Sequence, residues 1–242
     1  MNNSKGFTLV EILVTAAVSM ILLGSIYLAI NSAQRNTTGI ERKVVAQQDV
    51  RPVLELMATE IRMASYNPTF ASNFWLDPGN CFSASGNQTY RGIQTATADS
   101  LTIEMDITDS AGTATDGDGV IGDANEIISY IYVPGAANQY ITRETKRSPP
   151  GSCNPGGQPF LGDVAANVRS VRVINDTLNI SLFRYYDQTG VEILPAALPA
   201  GIPNIRRIEI TIAVQTEDVD PNTGQRRNMI YSTSIIPRNH AL

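Results

Sequence analysis

The sequence predicts an α+β protein, with one long N-terminal helix, half of it transmembrane, packed on an antiparallel β-sheet. Three observations carry this. Residues 7–30 read FTLVEILVTAAVSMILLGSIYLAI, 24 residues in which Glu11 is the sole charge. Residues 31–66 turn polar but keep apolar positions three and four apart, the period of a helix face. Beyond residue 67 the pattern becomes alternating, in short runs separated by turn residues. Strands joined by turns after a single helix build an antiparallel sheet with that helix on one face.

The first element is long enough to span a membrane, since a hydrocarbon core of about 30 Å needs roughly 20 apolar helical residues. Only residues 1–6 precede it, with Lys5 as their one cation. A secretory signal would place small residues after the apolar run. Here the run passes directly into Asn31 and Ser32, and the small residue, Gly6, stands before it. A charged side chain in an apolar span costs about 2.5–3.5 kcal/mol on insertion scales, so Glu11 calls for a partner. Helical i, i+4 spacing places Glu11 below Phe7. A cut between Gly6 and Phe7 would create an amine able to neutralise that carboxylate, in the same chain or in a neighbour of a parallel helix bundle. A plain anchor with a tolerated acid is the alternative.

In the second half of the helix Ile40, Val44, Val53, Leu54, Met57, Ile61 and Ala64 form a stripe expected to pack on the sheet. Gly39 weakens the helix, and Pro52 removes a backbone donor, so a bend is expected. Asp49 offers a cap for a restarted helix, and Tyr66-Asn67-Pro68 ends it. Strands are expected over Leu101–Ile107, Glu126–Val133, Gln139–Thr145, Asn167–Ile174, Leu178–Tyr186, Ile205–Thr216 and Met229–Ile236. Turn residues stand at Pro134-Gly135, at Asp187-Gln188-Thr189-Gly190 and at Pro221-Asn222-Thr223-Gly224.

Composition narrows function. Asp and Glu outnumber Lys and Arg by 23 to 18, for a net charge of -5, and no basic run exists, so a nucleic-acid surface is not expected. The one histidine, His240, stands so close to the C-terminus that it promises no fixed neighbours. No nucleophile elbow, P-loop or H-E-x-x-H is present, and an enzyme is not expected. Arg206-Arg207 and Arg226-Arg227 read as surface charge, because strand neighbours face opposite ways. Trp75 and Tyr185-Tyr186 read as packing.

Cys81 and Cys153, the only two cysteines, cannot build a disulfide framework or a Cys-only metal site. In an oxidising compartment outside the inner membrane they are expected to pair, stabilising by roughly 2–4 kcal/mol; two free thiols are the alternative. The stretch 116–126, DGDGVIGDANE, resembles half an EF-hand loop. Calcium takes six to eight oxygens, and alternate acids before a glycine turn present them to one point. With Gly119 as the loop glycine, Ala114 and Asn125 fall where the first and last ligands belong. Two readings therefore stay open: a solvated acidic turn, or a calcium site on Asp116, Asp118, Asp123 and Glu126.

Lys5-Gly6-Phe7-Thr8-Leu9-Val10-Glu11 resembles the class III signal of type IV prepilins, with Gly before the cut, Phe after it, Glu five residues on and a long apolar helix following. The resemblance implies a type IV pilin fold, cleavage after Gly6 by a prepilin peptidase on the cytoplasmic side, N-methylation of Phe7 and a role for Glu11 in filament assembly. Residues 48–66 are similar to the lower helix of PilW-like minor pilins, which commonly end in Arg-Met-Ala-Gly-Tyr; this chain departs at Pro52 and Ser65. Residues 180–190 and 232–239 resemble PilW-like pilins and also the J-type pseudopilins of type II secretion.

The implied organisation is a leader (1–6), a transmembrane and assembly helix (7–30), an amphipathic continuation (31–66) and a β domain (67–242). The implied role is that of a minor pilin in the priming or tip complex of a pilus. It would be held in the bacterial inner membrane with its β domain periplasmic, and reach the cell surface on assembly. Implied partners are the prepilin peptidase, other major and minor pilins and the inner-membrane assembly platform. A J-type pseudopilin is the nearest alternative. An adhesin or ligand-binding tip module, with a pocket in the loops 67–125, is an alternative of another class.

Overall fold

The computed structural model describes residues 6–73, 75–76, 90–109, 117–135, 139–146, 157–162, 171–198 and 200–240. One helix, α1, runs unbroken over Leu9–Met63, through both Gly39 and Pro52. No restart occurs at Asp49. Ala64 caps the C-terminal end with its N–H on Ile61 O, and Ser65 then turns into the left-handed region at φ 65°.

The buried face of α1 keeps Val53, Leu54, Met57, Ile61 and Ala64 of the expected stripe and departs from it at the N-terminal end. Ala46, Val50, Val53, Leu54, Met57, Ala58 and Ile61 are buried, whereas Ile40 and Val44 face solvent. The reason is helical phase. Counting back from Ile61 in steps of three and four leads through Met57, Val53, Val50 and Ala46 to Arg42 and Gly39, which puts Ile40 and Val44 on another side.

Gly39 is buried because the loop between the last two strands lies on it. Asn222 Nδ2 donates to Asn36 Oδ1 at 2.7 Å, Arg42 Nη1 donates to Val219 O, and Arg42 Nε stands 3.7 Å from Asp218. Within the loop, buried Asp220 accepts from Asn222 N at 2.8 Å and pairs with Arg227 at 2.5 Å.

Among the described residues ten strands form two antiparallel sheets where one was expected. The first has the order β1 (Ile93–Ala96), β2 (Ser100–Glu104), β3 (Ile127–Val133), β4 (Tyr140–Lys146), β5 (Gln158–Leu161). The second has the order β10 (Asn228–Ile235), β9 (Arg207–Thr216), β7 (Phe183–Tyr186), β8 (Glu192–Ile193), with β6 (Val171–Val173) also paired to β9. Links between them include the bridge Gln139 to Val173, the bond from Phe183 N to Ala98 O at 2.9 Å and the Tyr185 hydroxyl on Thr97 O at 2.8 Å. β1, β5 and β8 escape sequence reading because each is at most four residues long and lies beside loop-like composition.

Both sheets and α1 share one core, to which α1 contributes Met57 and Ile61, the first sheet Leu101, Ile103 and Tyr130, and the second Ile208, Ile210 and Ile212. Each fully buried aliphatic side chain of this kind contributes about 1.5–3 kcal/mol. The helix is tied to the first sheet by a polar lock: Glu60 on α1 accepts from Arg143 on β4 at 2.6 and 3.2 Å and from the Tyr130 hydroxyl on β3.

Candidate processing and assembly site

The N-terminal site starts from a cap. Thr8 is extended at φ −79° and ψ 152°, so it stands outside the helix as its N-cap. Its hydroxyl oxygen accepts from Glu11 N at 3.3 Å, and Glu11 Oε2 accepts from Thr8 N at 2.9 Å and from the Thr8 hydroxyl at 3.0 Å. This reciprocal capping box satisfies two donors that the first turn would otherwise leave open. The sequence carries the signature of this box as Thr8-x-x-Glu11.

The box also corrects the expected stacking of Glu11 under Phe7. Phe7 precedes the cap and is non-helical, so within one chain Glu11 engages Thr8. Gly6 and Phe7 lie outside the helix and are exposed, Phe7 at 84%. No heavy atom lies within 4 Å of the place a Gly6 side chain would fill. After a cut there, the new amine would stand one residue from the cap and four from Glu11. From Gly6 to Ile30 every residue is exposed, and α1 is long and apolar enough to cross a membrane.

The acidic loop is organised differently from a half EF-hand. Glu126 is buried, and both of its oxygens accept protein donors: Oε1 from Ile107 N (3.1 Å), Thr108 N (3.1 Å) and the Thr108 hydroxyl (3.3 Å), Oε2 from Gly122 N (3.0 Å) and Asp123 N (2.9 Å). It is the hub that holds the loop. Asp118 is exposed and caps Val120 N at 2.9 Å. Asp116 lies outside the described residues, as do Cys81 and Cys153. Asp106, which sequence reading passed over, is fully buried and accepts from Gly119 N at 3.0 Å. Burial first, then the Glu126 and Asp118 charges, push its carboxyl above the ordinary range. Among the described residues no group of three His, Cys, Asp or Glu side chains is placed to hold a metal ion.

His240 overturns the expectation of a free terminus. It is fully buried, with Nε2 2.8 Å from Ile202 O and Nδ1 2.9 Å from Arg91 O and 3.1 Å from Ser65 Oγ. Ser65 also donates to Arg91 O. The C-terminus is thus pinned to the end of α1 and the start of β1. Ser65 holds its positive φ with its hydroxyl bonded to both Arg91 O and His240 Nδ1.

The arginine pairs resolve into separate contacts. Arg206 donates to Pro203 O and Ile205 O at 2.9 and 2.8 Å, and Arg207 stacks 3.6 Å over the Tyr186 ring. Arg226 donates to Glu217 O at 2.7 Å, and Arg227 pairs with Asp220. Tyr185 is buried with its hydroxyl on Thr97 O at 2.8 Å, and Trp75 packs with Leu76, Ile121 and Ile127.

Comparison with known proteins supports the N-terminal reading. The family model for the prokaryotic N-terminal methylation motif matches residues 1–27. No curated protein matches this chain. Among solved structures the chain is similar to the type IV-like pilin TTHA1219 from Thermus thermophilus, at 10% identity and a TM-score of 0.42, covering 81% of this chain and 99% of that one. The chain therefore carries a prepilin-type methylation signal on an apolar helix fit for membrane anchoring. That signal implies processing by a prepilin peptidase and assembly with pilins.

Proposed function

We propose that the chain is a PilW-like minor type IV pilin. It is stored in the membrane by α1, cut after Gly6, methylated at the Phe7 amine and drawn into a filament by the same helix. The observation that favours a filament subunit over a plain anchor is the solvent-facing surface of α1 beyond the membrane segment. Val45, Leu56 and Met63 are 44%, 41% and 37% exposed, and with exposed Pro52 they follow spacings of seven, four and seven. Those spacings fall on one helical face. An anchor needs no apolar ridge there, whereas a bundle of parallel helices does. Within such a bundle a buried Glu11 would face the Phe7 amine of a neighbour, because an unpaired buried charge is costly.

Co-expression with a prepilin peptidase tests this. The intact mass of the membrane-bound product is expected to fall by residues 1–6 and rise by one methyl group, and the cut chain is expected in sheared filaments. A chain left uncut by an active peptidase would overturn the proposal.

A further inference from the structure

Strand β10 presents an open edge. Thr216 N donates to Arg227 O at 3.0 Å, and the β9–β10 register then runs without a bulge from Asn228–Gln215 to Ile235–Ile208. Bonded and non-bonded pairs alternate in an antiparallel ladder. The main-chain groups of Asn228, Ile230, Ser232 and Ser234 therefore point away from β9. The other side of β9 agrees: Thr211 N bonds to Leu182 O, and Ile174 N to Ala213 O, at 2.9 and 2.8 Å. Among the described residues nothing bonds to the four outward N–H and C=O pairs, and the four side chains are exposed.

Proteins protect such edges with Lys, Pro, bulges or short strands. β10 has eight residues, no charge, no Pro and no bulge. By contrast β1, the edge of the first sheet, has four residues and a bulge, and β8, the far edge of the second, has two residues.

The edge also lies beside the assembly helix. The loop preceding β10 touches α1 at Asn36 and Gly39, and just past its end Arg238 N bonds to Arg62 O at 3.4 Å. Eight strand residues cover about 27 Å, close to the roughly 30 Å of helix between Arg42 and Arg62. β10 thus runs along α1 for most of its periplasmic length. A subunit packed against the helix comes within reach of the open edge.

We propose that β10 is a strand-addition site, filled in the filament by an extended, uncharged segment of the neighbouring pilin subunit. Main-chain bonds to residues 228, 230, 232 and 234 supply the attachment, and the small Ser232 and Ser234 beside Ile230 favour short or apolar side chains opposite. The inference rests on the filament reading, and its test separates the two.

Ser232→Pro removes an outward N–H without touching the ladder to β9. Ser232→Ala is the control. Both are introduced into the full chain, co-expressed with the peptidase and its filament machinery, and followed by intact mass, thermal melting and recovery in sheared filaments. The expected result is normal cutting and melting for both, with recovery of Ser232→Pro at least tenfold below that of Ser232→Ala. If Ser232→Pro melts early, Ile230→Lys, which changes only an exposed side chain beside the edge, is read in its place with the same expectation. Cut and folded variants recovered at the wild-type level would overturn strand addition and leave the filament reading intact. An uncut wild-type chain would overturn both.

Discussion

Two residues near the junction of α1, β1 and the C-terminus illustrate how little room that junction has. Gly92 sits at φ 80°, and a Cβ there would lie 2.7 Å from Ser65 Cα, a backbone atom that cannot step aside. Gly92→Ala is expected to cost about 2 kcal/mol or more, from strain and overlap together. That corresponds to roughly 4–8 °C in a melting curve of a chain this size. His240 gives the junction a pH dependence. Burial, which outweighs the opposing bonds to the Ile202 and Arg91 carbonyls and is helped by the Arg206 and Arg91 charges, holds the imidazole below its ordinary 6.5. The unfolded chain therefore takes up the proton first as the pH falls. The stability linked to His240 is fully present above about 6.5 and is lost as pH drops through the lower folded value. Melting temperatures of wild type and His240→Gln, compared between about pH 5 and 7.5, should show a flatter acid limb for the variant. A parallel pair of curves would contradict this.

At the scale of elements, α1 is held at two levels by different chemistry. Low on the helix the β9–β10 loop lies on Gly39, where a Cβ would meet the Asp220 carboxylate at an ordinary 3.6 Å. An alanine fits, and the helix gains its propensity, so Gly39→Ala is expected to stabilise by up to about 1 kcal/mol in thermal melts. Gly39→Leu should reverse the sign by lifting the loop. Higher up, Glu60 holds Arg143 and Tyr130. Glu60→Ala leaves a mostly buried guanidinium without its carboxylate, at a cost of about 3 kcal/mol in denaturant unfolding. Arg143 retains some solvent contact, which keeps the figure at the low end of the range for a broken buried pair.

For the whole molecule, the division between a face that packs on the sheets and a face left for other helices carries the functional reading. Leu56→Glu changes a ridge position that is 41% exposed and also borders a cleft with Pro159 and Phe160. It is expected to cost no more than about 1 kcal/mol of stability, while sharply lowering recovery in sheared filaments. Unchanged recovery would mean that the ridge is not an assembly surface. The ridge was hidden in sequence, since Val45, Pro52, Leu56 and Met63 are interleaved with the buried residues and both sets are apolar. The acidic loop shows the same limit. Its alternating Asp residues invite a cation, but Glu126 is already bonded by five donors, two of them from Thr108 and one from Ile107, residues distant in sequence.

What the sequence determined alone is what depends on contiguous residues: the apolar span, the N-terminal methylation motif, the helix and the α+β class. Periodicity and local motifs encode these directly, because an i to i+4 relation is fixed by helix geometry wherever the chain lies. Only the tertiary structure decided which helical face is buried, that the strands divide into two sheets, that β10 is left with an open edge, and that His240 returns to lock the end of α1. Those outcomes depend on which distant element arrives to cover a surface. Apolar spacing marks a face as able to pack without naming its partner.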